Sequence, residues 1–87
     1  MAISKIIKLS TSWCNPCKVL KKNLEGFTRV PVEEIDCEEN PDIAEKYNVR
    51  NVPTLIYLND KDEVIDRTVG LQTIDQINTI IDKHETD

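Results

Sequence analysis

The 87-residue sequence contains no apolar run approaching the roughly 20 residues that a membrane-spanning helix requires. Its start, Met1-Ala2-Ile3-Ser4-Lys5, also lacks the long apolar region and the small-residue cleavage site of a secretory signal peptide. We therefore expect neither a membrane anchor nor export, and predict a cytoplasmic protein. In a reducing compartment a close pair of cysteines is more often catalytic than structural.

Positive charge is scarce, since 11 lysine and arginine residues face 16 aspartate and glutamate residues and the net charge is −5. Binding to a phosphate backbone needs basic patches, so nucleic acid is not expected as a direct partner. The sequence also lacks a glycine-rich dinucleotide fingerprint, and no bound cofactor is expected.

Linkers, internal repeats and low-complexity segments are absent as well. A chain of this length buries roughly 60–65% of the surface of its unfolded form, which suffices for one modest core. The sequence therefore predicts a single domain over residues 1–87.

What the sequence does have is a pair of cysteines three positions apart, in Trp13-Cys14-Asn15-Pro16-Cys17. An apolar run precedes the motif and a helix-like stretch follows it. Pro16 suits the first turn of a helix, where its missing N–H costs nothing. The N-terminus of a helix favours a thiolate, so Cys14 is the predicted nucleophile. Cys17 follows one turn later and can attack a mixed disulfide on Cys14, which makes it the predicted resolving thiol.

Three other interpretations of the pair are weaker. A zinc site usually needs four ligands, and only Cys37 and His84 remain as further candidates. Haem attachment would need a histidine after the second cysteine, where Lys18 stands. A structural disulfide that closes so short a ring would constrain the unfolded chain little. Thiol–disulfide exchange is the favoured chemistry, and no metal is expected.

The apolar spacing predicts a strand at Lys5–Ser10, a helix from Pro16 to about Gly26, and a second strand at residues 30–36. Asn40-Pro41 is typical of an N-cap and first-turn pair, and predicts a second, short helix. The predicted core-facing residues are Leu20, Leu24 and Phe27 in the first helix, and Ile43, Ala44 and Tyr47 in the second.

The last third of the chain predicts a hairpin and a closing helix. Residues 54–58 and 63–69 flank a turn-rich segment and are typical of antiparallel strands. Thr73 and Gln76 match a capping box at the start of a helix. An apolar stripe at helical spacing predicts that this helix packs on the sheet, through Ile74, Ile77, Ile80 and Ile81.

The order of these motifs resembles the thioredoxin family over nearly the whole chain. Trp-Cys-x-Pro-Cys-Lys follows a buried strand, and later come Asn40-Pro41, Tyr47, Val52-Pro53-Thr54 and Val69-Gly70. The resemblance implies an α/β fold, a four-stranded mixed sheet with three helices. Two strands would be parallel and two would form the hairpin. Few residues precede the first strand, so the implied form is the minimal thioredoxin fold, lacking the N-terminal strand and helix of full-length thioredoxins.

The resemblance also implies a substrate-binding surface beside the cysteines. In the family, the proline matching Pro53 follows a cis bond and lies next to the cysteine pair. The backbone of Val52 would pair with an extended substrate segment in the manner of an added strand. Trp13, Val69 and Gly70 would complete the surface, although Trp13 could instead be a core residue and Gly70 a plain turn residue.

The implied function is reduction of protein disulfides through Cys14 and Cys17. The implied partners are disulfide-containing proteins and an external reductant, either a reductase like thioredoxin reductase or glutathione, with the chain itself monomeric. A glutaredoxin-like enzyme is an alternative, but the paired glycines of that family are missing, since Leu71 follows Gly70. A binding module without redox chemistry and an oxidant or isomerase are further alternatives.

Three positions depart from the usual thioredoxin pattern. Lys8 stands where most thioredoxins carry a buried aspartate, and Glu34 where they carry a strand lysine. The two could preserve an ion pair behind the cysteines in reversed order, or Lys8 could reach the surface while Glu34 is merely solvated. Either residue is a candidate for controlling the proton of Cys17. Asn15 replaces the usual glycine, and with Pro16 it is a candidate for tuning the reduction potential.

Two further residues could carry chemistry. Cys37 follows the second predicted strand and is interpreted as a buried, inert thiol, with a secondary redox or dimer-forming role as the alternative. His84 lies in a polar tail and is predicted to be solvated and without function.

Overall fold

The computed structural model describes residues 2–85. Its elements are β1 (Lys5–Ser10), α1 (Asn15–Asn23), β2 (Val32–Asp36), α2 (Pro41–Lys46), β3 (Thr54–Leu58), β4 (Val64–Val69) and α3 (Ile74–Glu85). The strands form one sheet in the order β2-β1-β3-β4, in which β1 and β2 are parallel and the other neighbours antiparallel. The predicted four-stranded mixed sheet with three helices is confirmed. Within the described part of the chain, no helix is long and apolar enough to cross a bilayer.

The two central strands, β1 and β3, are almost completely buried, as their predominantly apolar sequences predict, although Lys8 interrupts the apolar residues of β1. The sheet separates two hydrophobic clusters. The first includes residues of β1, β3, α1 and α3, namely Ile3, Ile6, Leu20, Leu55, Tyr57, Ile77 and Ile81. The second comprises Ile7, Leu9, Tyr47, Ile56 and Leu58, with Ile43 of α2 packed against it. Both faces of the sheet therefore carry a core.

The topology brings four connections to one edge of the sheet. The parallel strands β1 and β2 both end there, at Ser10 and Asp36, which are register partners. Strand β3 begins at the same edge and β4 ends there, since Thr54 pairs with Val69. The segment after β1, which holds the cysteine motif, thus lies at the same edge as the segment that precedes β3.

Two element boundaries differ from the prediction by more than one residue. Helix α1 ends at Asn23 rather than near Gly26. Gly26 lies in the turn that follows and has a φ of +81°, an angle that residues with a side chain rarely adopt. Leu24 and Phe27 still pack against the first cluster, although from the C-cap and the following loop. Strand β2 begins at Val32 rather than at residue 30, because a proline precedes it and has no N–H for the ladder.

The predicted starts of α2 and α3 agree with the structure more closely than the predicted end of α1 does. Asn40 is the N-cap of α2, but its side chain donates to the carbonyl of Asp36 (3.1 Å) instead of capping the helix. The capping box of α3 is present: the N–H of Thr73 donates to Oε1 of Gln76 (2.8 Å), and the N–H of Gln76 donates to Oγ1 of Thr73 (3.2 Å). The apolar stripe of α3 packs on the sheet through Ile77 and Ile81, with Ile80 partly buried against the same cluster.

Candidate active site

The cysteine pair lies at the junction of β1 and α1, where the sequence placed it. Cys14 and Cys17 form a disulfide, and their Cα atoms are 5.2 Å apart. Cys14 is the N-cap of α1 with extended backbone, and Pro16 lies in the first turn. The backbone N–H of Cys17 donates to the sulfur of Cys14 at 3.1 Å. When the disulfide is open, a sulfur at this position has a hydrogen-bond donor and the helix N-terminus to stabilise its thiolate.

Both cysteines are shielded from solvent. Cys14 is 4% exposed and Cys17 is 3% exposed, whereas Asn15 and Pro16 between them are exposed. A substrate disulfide can therefore reach a sulfur atom only by packing closely against the surface around the pair. The two burial values are too similar to distinguish nucleophile from resolving thiol, so that assignment rests on the helix geometry.

The residues expected to bind substrate do come together at this edge of the sheet. The bond between Val52 and Pro53 is cis, as the family resemblance implied. The N–H of Gly70 donates to the carbonyl of Pro53 at 2.8 Å, which ties the end of β4 to the segment before β3. Trp13 is 68% exposed and is not a core residue, and Val69 is also exposed. Val52 and Gly70 are half-buried and the Pro53 side chain is buried. We use the name docking surface for the five residues that the family resemblance implies in substrate binding, Trp13, Val52, Pro53, Val69 and Gly70.

Leu71 was missed as a contributor to this surface. It is exposed and follows Gly70, whose φ of +92° turns the chain after β4. An exposed leucine two positions after exposed Val69 suits protein contact better than solvent. In the sequence Leu71 served only to show that a second glycine does not follow Gly70, because it belongs to no periodic pattern.

Lys8 and Glu34 form an ion pair below α1. They are register partners on the parallel strands β1 and β2, and Nζ of Lys8 lies 3.1 Å from Oε2 of Glu34. The side chain of Lys8 is 3% exposed and that of Glu34 is 48% exposed. Lys8 therefore does not reach the surface. A buried ammonium group is tolerable here because a carboxylate compensates its charge.

Two hydroxyl groups near the cysteines were also missed. Ser10 is buried, and its hydroxyl donates to Oε1 of Glu34 in a long contact of 3.5 Å. The hydroxyl oxygen of Thr11 is buried and has no hydrogen-bond partner among residues 2–85. Ser10 could have been found from strand periodicity, because it lies two positions after Lys8 and therefore on the same face.

A pocket of about 510 Å³ opens beside the ion pair. Its polar lining includes Lys8, Glu34 and Lys21, and Lys21 lies one helical turn after Cys17. Its other walls are formed by Leu24, Phe27, Thr28, Val30, Pro31 and Val32. The pocket gives water a route toward a buried cation on the side of the sheet that α1 covers.

The other two chemically interesting residues lie apart from this arrangement. Cys37 is a half-buried free thiol, and burial together with the charge of Asp36 raises its pKa, so it is a poor nucleophile at neutral pH. The prediction that His84 is merely solvated is wrong, because its Nε2 lies 2.9 Å from Oδ2 of Asp66 and its side chain is 12% exposed. Helix α3 returns over the sheet and brings this side chain to β4.

The arrangement as a whole can exchange a dithiol for a disulfide. The electrons reside in the cysteine pair, which needs no external cofactor for the exchange. Among residues 2–85, no three histidine, cysteine, aspartate or glutamate side chains converge in a way that could hold a metal ion.

Comparison with known proteins identifies the family of this chain. The family model described as thioredoxin matches residues 2–83. Thioredoxin of Staphylococcus epidermidis is 34% identical, over 92% of this chain and 81% of its own length. Thioredoxin of Chlamydia trachomatis is 37% identical, with the same coverage.

Solved structures agree. A mutant thioredoxin from Halobacterium salinarum is 32% identical and superposes with a TM-score of 0.85, covering 95% of this chain and 75% of its own. A malarial protein that is 20% identical shares the fold, with a TM-score of 0.83 over 97% of this chain and 98% of its own. The Cys14–Cys17 disulfide is that of a thioredoxin-type thiol–disulfide oxidoreductase, and the chain belongs to the thioredoxin family.

Proposed function

We propose that Cys14 is the nucleophile and Cys17 the resolving thiol in the reduction of protein disulfides. The Cys14 thiolate attacks one sulfur of the substrate disulfide, forms a mixed disulfide and releases the first substrate thiolate. The Cys17 thiolate then attacks the sulfur of Cys14, which closes the Cys14–Cys17 disulfide and releases the second substrate thiolate. Two electrons pass from the pair to the substrate. The N-cap position of Cys14, with the Cys17 N–H directed at its sulfur, supports these roles.

The docking surface would hold the substrate segment that carries the disulfide. Exposed Trp13 and Val69 offer apolar contact, and the segment at Val52 offers backbone groups for an extended peptide. Leu71 extends the same apolar area. Because the cysteines themselves are nearly buried, most of the binding energy would come from these neighbours.

The partners follow from the family. Thioredoxins act on disulfide-containing proteins and are reduced by thioredoxin reductase, and we propose the same two classes of partner here, with glutathione as the alternative reductant. We further propose that the chain acts as a monomer in the cytoplasm. A dithiol reductant is useful where the surrounding thiol pools are kept reduced.

Cysteine variants test the assigned roles. Cys17→Ser should trap a mixed disulfide with a disulfide-bonded peptide, because Cys14 can attack but nothing resolves the product. Cys14→Ser should trap none and should lose turnover. Non-reducing mass spectrometry measures both outcomes. Substrate complexes or activity that survive Cys14→Ser would instead indicate a binding module without redox chemistry.

The reduction potential of the pair tests the direction of electron flow. Equilibration in defined thiol buffers, followed by alkylation and mass analysis, gives the midpoint. A value near −270 mV, as in thioredoxin, would support a reductant, whereas about −120 mV would indicate an oxidant. Asn15 and Pro16 are the residues whose replacement should shift this value, because they lie in the ring that the disulfide closes.

We also propose that Lys8 and Glu34 control the proton of Cys17. Lys21 lies one turn after Cys17 and lines the same pocket as Lys8, which supports a place for the buried ammonium group on the side of the sheet that α1 covers. A positive charge there favours the thiolate. Glu34 can accept the proton and exchange it with solvent, since its carboxylate is half exposed.

Volume-matched variants separate this role from a structural one. Lys8→Met should slow the resolution of the mixed disulfide at neutral pH and shift the pH profile of its rate to higher pH. Glu34→Gln should also slow the resolution. The matched controls are Lys5→Met and Glu33→Gln, because the lysine of this neighbouring pair on the same two strands is far more exposed than Lys8. Stopped flow measures the rate at which the mixed disulfide is resolved. If the variants of Lys8 and Glu34 slow this rate no more than the control variants of Lys5 and Glu33 do, the proposal is wrong.

A further inference from the structure

The solvent-facing side of α1 is basic and carries an apolar side chain. Lys18, Val19 and Lys22 are all exposed, and their spacing places them together on the side opposite buried Leu20. We call these three residues the basic face of α1. Neither lysine forms an ion pair with any residue of the described range 2–85. Their charges are therefore available to a partner.

This basic face stands out against the rest of the molecule. The chain has a net charge of −5, yet Asn15–Asn23 contains three lysines and no acidic residue. Residues 33–42, which include β2 and the loop that ends at the same sheet edge, contain six acidic residues and no basic one. The surroundings of the cysteine pair are therefore polarised, positive along α1 and negative beyond β2.

Helix stability explains only part of the pattern. Lysines in the last turn, such as Lys22, interact favourably with the carbonyl end of a helix. Lys18 lies in the N-terminal half of α1, where a positive charge is unfavourable for the same reason. Val19, 46% exposed, also gains nothing from facing water. Recognition of a partner accounts for both.

We propose that the basic face of α1 binds acidic residues that flank the disulfide of a protein substrate. The inference rests on the proposed function, since the face begins one turn after Cys14, and exposed Trp13 directly precedes Cys14 in the chain. A substrate whose disulfide reaches Cys14 would place its neighbouring residues over Lys18 and Lys22. Opposite charges there would speed the encounter and weaken as salt rises.

Peptides that share one sequence around the disulfide test this preference for acidic flanking residues. Three disulfide-linked peptides carry three glutamates before the cysteine, three glutamates after it, or glutamines in both places. The rate constant for their reduction by excess pre-reduced protein is measured at low and high salt. One acidic peptide should react about three- to tenfold faster than the neutral peptide at low salt, and the ratio should approach one at high salt. If neither acidic peptide is reduced faster than the neutral one, the proposal is overturned. Reduction of the neutral peptide tests the proposed function independently.

Charge reversal locates the effect. Lys18→Glu and Lys22→Glu should each lower the ratio of the acidic to the neutral rate constant to one or below. An effect on cysteine reactivity that both substrates share cancels in this ratio. The matched control is Lys61→Glu, which changes the net charge equally in the exposed turn between β3 and β4, at the opposite end of the sheet. This control should retain the ratio of the unmodified protein. An equal loss in the control would mean that overall charge, rather than the basic face, selects the substrate.

Discussion

Two threonines next to the cysteine site differ in how their buried hydroxyl groups are satisfied. Oγ1 of Thr54 donates to the carbonyl of Asn51 at 2.6 Å, whereas Oγ1 of Thr11 has no partner among residues 2–85. A buried hydroxyl without a partner has lost its hydrogen bonds to water and gained none in return. The same substitution should therefore have opposite effects at the two positions.

Replacement by valine keeps the shape and removes the hydroxyl. Thr54→Val should lower the free energy of unfolding by about 1 kcal/mol, because the Asn51 carbonyl loses its donor. Thr11→Val should leave it unchanged or raise it by up to about 1 kcal/mol. Urea unfolding of the disulfide form measures both. A clear loss of stability in Thr11→Val would show that this hydroxyl has a favourable interaction after all.

The roles of single residues were predictable where a local pattern carried them. The Cys14–Cys17 pair follows from sequence spacing and side-chain chemistry, whereas the surface around Trp13 was implied only by the family resemblance. The Lys8–Glu34 pair could only be posed as one of two possibilities, because the choice depends on whether the β2 register places a carboxylate opposite the lysine. The contact between His84 and Asp66 joins residues 18 positions apart and leaves no local pattern in the sequence.

At the scale of secondary-structure elements, the Asp66–His84 contact joins α3 to β4. Burial alone would raise the pKa of Asp66. The hydrogen bond with His84, the N–H of Arg67 and the charges of His84 and Lys83 outweigh burial and lower it. A carboxyl whose pKa is lower in the folded chain stabilises the fold above its unfolded pKa, near 4, and stops doing so as pH falls through the folded value.

Asp66→Asn should therefore destabilise the protein in a pH-dependent way. At pH 5 the loss should be on the order of 1 kcal/mol, since the charge-assisted bond to His84 is weakened. The difference from the unmodified protein should shrink as the pH falls below the unfolded pKa, near 4, and through the lower folded value, where the native carboxyl is also protonated. Urea unfolding from pH 3 to 6 measures the difference. In a His84→Gln background the effect of Asp66→Asn should be smaller, and an undiminished effect would contradict the assigned contact.

Element type was easier to predict than element ends. Most residues of β1 and β3 are apolar and polar turns bound both strands, so both were predicted at their observed limits. The predicted end of α1 was too late. Apolar periodicity continues through Leu24 and Phe27, whereas the helix ends at Asn23 and the backbone turns at Gly26. Periodicity reports which residues face the core, and a loop that folds back can present apolar residues to the same core.

At the scale of the whole molecule, the sheet divides the hydrophobic interior into two clusters that share β1 and β3. Ile6 and Ile7 are neighbours in sequence and belong to opposite clusters, as alternation along a strand requires. The strand order was implied by the family resemblance, because apolar runs alone do not show which strands pair. Since both clusters are anchored on the same two strands, neither can be lost without exposing the other.

This shared sheet predicts additive effects within one cooperative unfolding transition. Ile7→Val in the second cluster and Ile81→Val in the first should each lower the free energy of unfolding by about 0.5–1.5 kcal/mol. The double variant should show their sum within about 0.5 kcal/mol, because the two side chains share no cluster. Urea unfolding followed by far-ultraviolet circular dichroism and by tyrosine fluorescence should give coincident curves for all variants, since buried Tyr57 and Tyr47 lie in different clusters. Transitions that differ between the two probes would show a populated intermediate and would contradict the single cooperative transition.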